Sequence, residues 1–231
     1  MNYDAVIFDL FGTLIDFLSV EQYREWDRKM AVALSAPVDE FPRLWFATLH
    51  DRNAGYLPTM EEEILHVCHL LGLSPDSSSV AEAIKTRLNM HRLNLAPKPD
   101  AVPTLTALRS MGLKTGLLSD APLDVPAIWP ETPFAALMDA AVFSCEERTT
   151  KPDPALYATT CKRLGVQAER CLFVGDGGSQ ELTGAVNAGM TGVLVRTSYG
   201  LAFEKYAPEA KTWTGPAITA LTEVFSIVRQ N

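Results

Sequence analysis

Four short polar segments of this chain each carry residue types that can do chemistry. A carboxylate can act as a nucleophile or bind a metal ion, a lysine can offset negative charge, and a hydroxyl can donate a hydrogen bond. The segments are Asp9 to Thr13, Ser119 with Asp120, Lys151, and Asp176 to Glu181. Each falls at or just after an apolar run that reads as a strand. Their common placement predicts one site.

The elements that would position these residues follow from the hydrophobic pattern. Beyond residue 97, helical periodicity alternates with short apolar runs, which predicts a parallel sheet covered by helices on both faces. The runs predicted as strands are 5–8, 113–118, 141–144, 171–174 and 192–195. The tail from Pro216 to Arg229 is predicted as a last helix. Because ligands bind beyond the carboxyl ends of parallel strands, the four polar segments are expected at one edge of the sheet.

Residues 17–96 show helical periodicity only and predict an inserted helical module. Helix starts are indicated at Thr59 and at Ser79, each followed three residues later by glutamate. Two prolines in the segment from Ala96 to Asp100 end the module. Residues 1–16 and 97–231 are therefore predicted as an α/β core, and residues 17–96 as an inserted helical domain.

Composition excludes several classes of function. With 231 residues, 47% hydrophobic residues and a formal net charge of −8, the chain is expected to be globular and to bind neither nucleic acid nor an anionic membrane. Its apolar runs are too short to span a bilayer and the N-terminus lacks a basic leader, so a cytoplasmic location is expected. The four cysteines form no CxxC pair and are predicted to be free and mostly buried. An anionic substrate would have to be held by local cations.

The four segments resemble, in order, the four motifs of the haloacid dehalogenase superfamily. Asp9-Leu-Phe-Gly-Thr13 is similar to the first motif, Leu117-Leu-Ser-Asp120 to the second, Lys151-Pro-Asp-Pro154 to the third, and Gly175-Asp176 through Glu181 to the fourth. The helical module resembles the first-type cap of that superfamily. The resemblance implies a doubly wound, Rossmann-like core with an inserted helical cap.

The resemblance also implies a nucleophile and a metal site. Asp9 would attack an electrophilic centre and form a covalent aspartyl intermediate that water hydrolyses. In the phosphotransferase branch, Mg²⁺ would be bound by Asp9, the backbone carbonyl of Phe11 and Asp176. Glu181 would act through a water, although a glutamate that opens a helix is also favoured there by the helix dipole.

Four further side chains are implied to support the reaction. Ser119 would donate a hydrogen bond to the transferring group, and Lys151 would offset its developing charge and that of Asp9. Thr13 would brace the loop that carries the nucleophile. Asp120 either contacts the substrate or caps the next turn.

Phe11 departs from the pattern of the phosphatases, which carry a second aspartate two residues after the nucleophile. A phenylalanine cannot transfer a proton, so acid–base assistance must come from elsewhere or be absent. The preferred interpretation is a magnesium-dependent hydrolase that acts on a small phosphorylated metabolite.

Two alternatives stay open. Dehalogenases of the superfamily carry an aromatic residue at the position of Phe11 and need no metal, which makes a metal-independent 2-haloacid dehalogenase the first. Arg24 and Arg28 are then the nearest candidates to hold the substrate carboxylate. The second is a decayed enzyme retained as a binding protein. Substrate choice is expected to depend on the cap, where Trp26, Trp45, Phe46 and Tyr56 could line a pocket or form the core.

Overall fold

The computed structural model describes residues 3–196 and 207–229. Its six-stranded sheet has the order β3-β2-β1-β4-β5-β6, and all neighbouring strands are parallel. The strands are β1 Ala5–Phe8, β2 Lys114–Ser119, β3 Ala140–Phe143, β4 Cys171–Gly175, β5 Thr191–Val195 and β6 Ala217–Ile218. Strand order reverses between β1 and β4, and this is where ligands bind in an open α/β sheet.

Helices cover both faces of the sheet, as the sequence predicts. These are α6 Ala101–Ser110, α7 Asp124–Ile128, α8 Ser144–Glu147, α9 Pro154–Leu164, α10 Glu181–Asn187, α11 Glu209–Thr212 and α12 Val224–Arg229. Val6 and Phe8 of β1 belong to the core under α6, α7 and α12. Ala5 and Ile7 point to the opposite face and pack with α9 and α10. Strand β1 is thus buried on both sides, which explains its uninterrupted apolar sequence.

Five helices precede this core after β1 and form what we call the helical insertion. They are α1 Val20–Ala33, α2 Glu40–Ala47, α3 Leu49–Asn53, α4 Met60–Leu70 and α5 Ser77–Asn94. A separate hydrophobic cluster holds them together, with Met30, Phe41 and Ile64 fully buried. Thr59 caps α4 by accepting a hydrogen bond from the backbone of Glu62, as predicted. None of the described helices is long and apolar enough to cross a membrane.

One helix start differs from the prediction. Helix α5 begins before Ser79, because the Asp76 side chain accepts the backbone N–H of Ser79 and supplies the N-cap. Asp100 precedes α6 without capping it, and its Oδ2 instead accepts the backbone N–H of Leu221 at 2.8 Å.

The C-terminal part of the chain also differs from the prediction, because strand pairing decides its structure. The tail is not wholly helical, since Ala217 and Ile218 pair with β5 as an edge strand. Helix α7 ends at Ile128, because Pro130 lacks the N–H that would continue it. Phe134, beyond the helix, is fully buried and stacked on Trp129. All four cysteines are free and buried, as expected.

Candidate active site

The polar segments meet at the carboxyl edge of the sheet, at the β1–β4 switch point. Asp9 follows β1 directly, and its backbone N–H donates to the carbonyl of Val174 in β4 at 2.9 Å. Asp176 follows β4, and Ser119 ends β2 on the other side of β1. The sheet therefore brings together residues that lie more than a hundred positions apart.

A buried lysine joins the nucleophile candidate to a second carboxylate. Nζ of Lys151 lies 2.7 Å from Oδ1 of Asp9 and 2.5 Å from Oε2 of Glu181. Burial lowers the pKa of Lys151, but the charges of Asp9, Glu181 and Asp120 outweigh burial and hold that pKa well above its ordinary value. Lys151 is therefore a fixed positive charge in the site.

Three buried carboxylates lie around that charge. Asp9, Asp176 and Glu181 each offer an oxygen within 4.8 Å of the others. Burial, and then the negative charge of Asp9, raises the pKa of Glu181 well above its ordinary value; Asp176 acts in the same direction and Lys151 opposes it. With all three carboxylates ionised, they and the ammonium would carry a formal charge of −2 in a buried space, and the raised pKa of Glu181 reflects the cost of burying that surplus.

The chemistry of this group fits a hard divalent cation. Clustered carboxylate oxygens are what Mg²⁺ binds in proteins, and its charge would balance the surplus. Glu181 is already engaged at both oxygens, by Lys151 at Oε2 and by the backbone N–H of Gly177 at Oε1, 3.0 Å away. Direct binding of an ion by Glu181 would therefore have to displace one of these two partners.

Glycines shape the loop after β4. A Cβ at Gly175 would lie 2.1 Å from Oε1 of Glu181, so any larger residue would displace that carboxylate. Gly177 has φ +89°, a conformation that glycine adopts without strain. The backbone N–H of Gly178 donates to Oδ1 of Asp176 at 2.9 Å. The loop thus fixes two of the three carboxylates.

Two hydroxyl groups of the predicted site are buried and unsatisfied. Thr13 and Ser119 are both fully buried, and neither Oγ atom has a hydrogen-bond partner among residues 3–196 and 207–229. Buried hydroxyls normally have a partner, so these two are available to a ligand.

Phe11 brings no reactive group to the site. Its ring is half-buried, stacks on Phe17 with centroids 6.1 Å apart, and meets His91 edge-on at 6.5 Å. The side chain at this position therefore contacts the helical insertion. Proton transfer has to come from another residue.

A cavity of about 480 Å³ opens above Lys151 between the core and the helical insertion. Core residues on its wall include Asp120, Lys151, Ser179 and Gln180, and α2 and α3 contribute Phe46, Leu49, His50 and Asn53. Of the aromatic residues considered from sequence, Phe46 lines this cavity, whereas Trp45 is buried in the core of the insertion.

The sequence does not predict four of the residues that line the cavity, which are Ser179, Gln180, His50 and Asn53. The first two lie in the glycine-rich segment after Asp176, which could have indicated them. No local pattern distinguishes His50 and Asn53 from other helical residues, since their direction depends on how the insertion docks.

The structure thus combines a Rossmann-like α/β sheet with clustered carboxylates and a lysine at its switch point. The chain belongs to the haloacid dehalogenase-like hydrolase family, whose model matches residues 3–189. Glyceraldehyde 3-phosphate phosphatase of Methanopyrus kandleri is 33% identical over 129 residues, so the match covers 54% of this chain and 54% of that relative. (S)-2-haloacid dehalogenase of Xanthobacter autotrophicus is 30% identical over 191 residues, covering 81% of this chain and 72% of its own.

A solved structure supports the fold over the whole length. The 2-haloacid dehalogenase from Pseudomonas syringae pv. Tomato has a TM-score of 0.72 and 21% identity, covering 99% of each chain. The chain is thus a hydrolase of this family. Because its relatives include both phosphatases and dehalogenases, the choice between these activities rests on the site.

Proposed function

We propose that the protein is a magnesium-dependent phosphohydrolase that cleaves a small phosphorylated metabolite through a covalent intermediate on Asp9. The observation that carries this proposal is the buried surplus of negative charge, with three carboxylates around one ammonium. A dianionic phosphate ester cannot approach such a group without a cation. Bound at Asp9 and Asp176, with the backbone carbonyl of Phe11 and Glu181 through a water, Mg²⁺ would neutralise part of this charge and polarise the phosphoryl group.

Side chains of the protein would orient the nucleophile and stabilise the transferring group. Lys151 holds Oδ1 of Asp9, which directs the other carboxylate oxygen toward the substrate. Its fixed charge offsets the negative charge that develops on the transferring group. Ser119 would donate its unsatisfied hydroxyl to a phosphoryl oxygen. Thr13 would brace the loop of the nucleophile through its backbone N–H, which donates to the carbonyl of Leu10 at 3.3 Å.

We also propose that the helical insertion, residues 17–96, acts as a cap that selects the substrate. Phe46, His50 and Asn53 face the core across the cavity. The insertion is anchored to the core by Ser144, whose Oγ donates to the carbonyl of Asn53 at 2.6 Å. A lid in this position would contact the leaving group and exclude water.

A metal-independent 2-haloacid dehalogenase is the second candidate, favoured by Phe11 and by relatives of that activity. Two observations weigh against it. Without a cation, the extra carboxylates would repel a substrate carboxylate. Among the described residues on the cavity wall, Lys151 is the only permanent cation, and it is held by Asp9 and Glu181.

The arginines considered for that role do not line the cavity. Arg24 is exposed, and Arg28 is an exposed residue paired with Glu21 at 3.1 Å. Neither is therefore placed to hold a carboxylate substrate in this cavity.

A substrate panel tests the proposal. Phosphomonoesters, acyl phosphates, phosphonates and 2-haloacids are incubated with Mg²⁺ and with chelator, and phosphate and halide release are measured. We expect Mg²⁺-dependent phosphate release that Asp9→Asn abolishes. Asp16→Asn, an exposed carboxylate seven residues away, is the control and should retain activity. Halide release unaffected by chelator would establish the dehalogenase instead, and phosphatase activity surviving in Asp9→Asn would refute the aspartyl mechanism.

A further inference from the structure

The proposed reaction lacks an obvious proton donor. When the P–O bond of an alkyl phosphate breaks, the departing oxygen needs a proton, and Phe11 has none to give. Among the described residues on the cavity wall, the side chains that titrate are His50, Asp120 and Lys151. Lys151 is engaged by two carboxylates and its pKa lies well above the ordinary value, so it keeps its proton.

Asp120 is linked to the nucleophile through Lys151, whereas His50 contacts a residue of the helical insertion. Its Oδ1 accepts the backbone N–H of Lys151 at 2.9 Å, and Nζ of the same lysine contacts Asp9. The Asp120 carboxyl and the nucleophile thus contact the two ends of the same lysine. His50 is exposed on α3, edge-on to Tyr56 with ring centroids 6.3 Å apart, on the insertion side of the cavity.

The loop opposite Asp120 is held in an unusual conformation. Ser179 and Gln180 have φ of 51° and 53°, in the left-handed region that non-glycine residues seldom adopt. Both residues line the cavity together with Asp120, and the Ser179 side chain acts to lower the Asp120 pKa. Backbone strain of this kind persists where the surrounding structure enforces it, often at functional sites. Here the strained residues share the cavity wall with Asp120.

The surroundings of Asp120 favour retention of its proton. Burial raises its pKa above the ordinary value, and the negative charge of Asp9 acts in the same direction. The charge and backbone N–H of Lys151, together with the Ser179 hydroxyl, partly offset that effect. A carboxyl in this environment can hold a proton and release it to a stronger base.

We propose that Asp120 is the general acid and base of this enzyme, replacing the aspartate that is absent at position 11; the inference rests on the phosphohydrolase function proposed above. In the first step an Asp9 oxygen bonds to phosphorus while the bond to the leaving oxygen breaks. The leaving oxygen keeps that electron pair and takes the proton of Asp120, departing as an alcohol. In the second step Asp120 accepts a proton from water while the water oxygen bonds to phosphorus. The bond between Asp9 and phosphorus breaks, phosphate is released, and the Asp9 carboxylate is restored.

Leaving-group dependence distinguishes an acid from a residue that only positions Lys151. Asp120→Asn keeps an oxygen that can accept the Lys151 N–H but has no proton to transfer. Phosphate release is measured with Mg²⁺ on glycerol phosphate, whose alkoxide needs a proton, and on p-nitrophenyl phosphate, whose leaving group does not. We expect kcat to fall about 10²–10⁴-fold on the alkyl ester. The loss on the nitrophenyl ester should be less than about tenfold.

Matched variants complete the test. Asp153→Asn changes a nearby carboxylate that caps α9, and asparagine caps equally well, so both activities should persist. Asp120→Glu keeps an acid and should retain more activity on the alkyl ester than Asp120→Asn. Circular dichroism checks that each variant is folded.

The possible results distinguish failure of the Asp120 role from failure of the phosphohydrolase proposal. Equal losses on the two esters, or no loss on either, would overturn the role of Asp120 alone. A selective loss on the alkyl ester in His50→Gln, and not in Asp120→Asn, would overturn it in favour of His50. If the wild-type enzyme releases phosphate from neither these esters nor any other compound of the substrate panel, the phosphohydrolase proposal fails and this inference falls with it.

Discussion

Nζ of Lys151 lies 2.7 Å from Oδ1 of Asp9, although the two residues are 142 positions apart in the sequence. Both side chains are almost fully buried, so this ion pair operates at low dielectric and with a fixed geometry. The same ammonium binds Glu181. Lys151 therefore holds the carboxylates of Asp9 and Glu181 close to each other.

Lys151→Met should lower kcat strongly. The variant keeps the length of the side chain but removes the charge that orients Asp9 and stabilises the transferring group. We expect a loss of about 10²–10³-fold, the usual effect of removing one preorganised donor. Steady-state kinetics on the best phosphate ester measure it. Lys162→Met, an exposed lysine of helix α9, is the control, and an equal effect of the two changes would contradict the role of Lys151.

Mg²⁺ should stabilise the folded protein through Asp176 more than through Glu181. At a hundred times its dissociation constant, a ligand of the folded state adds about 2.7 kcal/mol to the free energy of unfolding. Asp176→Asn should remove most of the resulting rise in Tm. Glu181→Gln should retain a larger share, since Lys151 and Gly177 already occupy both Glu181 oxygens.

Thermal unfolding with Mg²⁺ and with chelator checks this expectation, with Asp16→Asn as the control. An unchanged Mg²⁺ effect in Asp176→Asn would show that the three carboxylates do not form the ion site.

The sequence predicts the central features of this fold because they depend on local patterns. The sequence alone shows the apolar run of β1 followed by Asp9, and it shows the turn residues around Asp176. It does not predict the edge strand β6, because Ala217 and Ile218 form a strand only by pairing with β5.

Local sequence patterns predict only part of the site, for the same reason. Four motifs predict that Asp9, Lys151 and Asp176 lie together, and the structure places them so. The contact between Lys151 and Glu181, and the cavity positions of His50 and Asn53, depend on long-range packing. No spacing in the sequence encodes the direction in which those helices face.

Arg87→Leu should strongly destabilise the contact between the helical insertion and the core. Arg87 is buried on α5; its Nε contacts Oδ2 of Asp124 on α7, and its Nη1 lies 3.9 Å from Asp27. Leucine would leave two buried carboxylates without this partner, at a cost of about 3–5 kcal/mol in the free energy of unfolding. Chemical denaturation measures it.

Lys85→Leu provides the comparison on the same helix. Lys85 pairs with Glu82 at 3.2 Å, and both side chains are more than half exposed, so the change should cost about 0.5 kcal/mol or less. Similar losses in Arg87→Leu and Lys85→Leu would show that the buried pair does not hold the insertion.

Glu63 should make stability depend on pH. It is buried on α4, and burial, the largest cause, raises its pKa from 4.5 to about 7, with Arg52 opposing and Asp124 reinforcing the shift. Between these values the folded state binds more protons than the unfolded state, so the free energy of unfolding falls as pH rises from about 4.5 to about 7 and then levels off.

Glu63→Gln should flatten that slope. Glutamine carries no charge to bury, so between pH 5 and pH 8 the variant should lose less stability than the wild type, by on the order of 2 kcal/mol. A residual slope at lower pH is expected from Asp27, whose pKa burial raises to about 6. Chemical denaturation at several pH values measures the difference, with Glu61→Gln, an exposed carboxylate of the same helix, as the control. Parallel profiles for the wild type and Glu63→Gln would show that Glu63 is ionised at no cost in the folded protein.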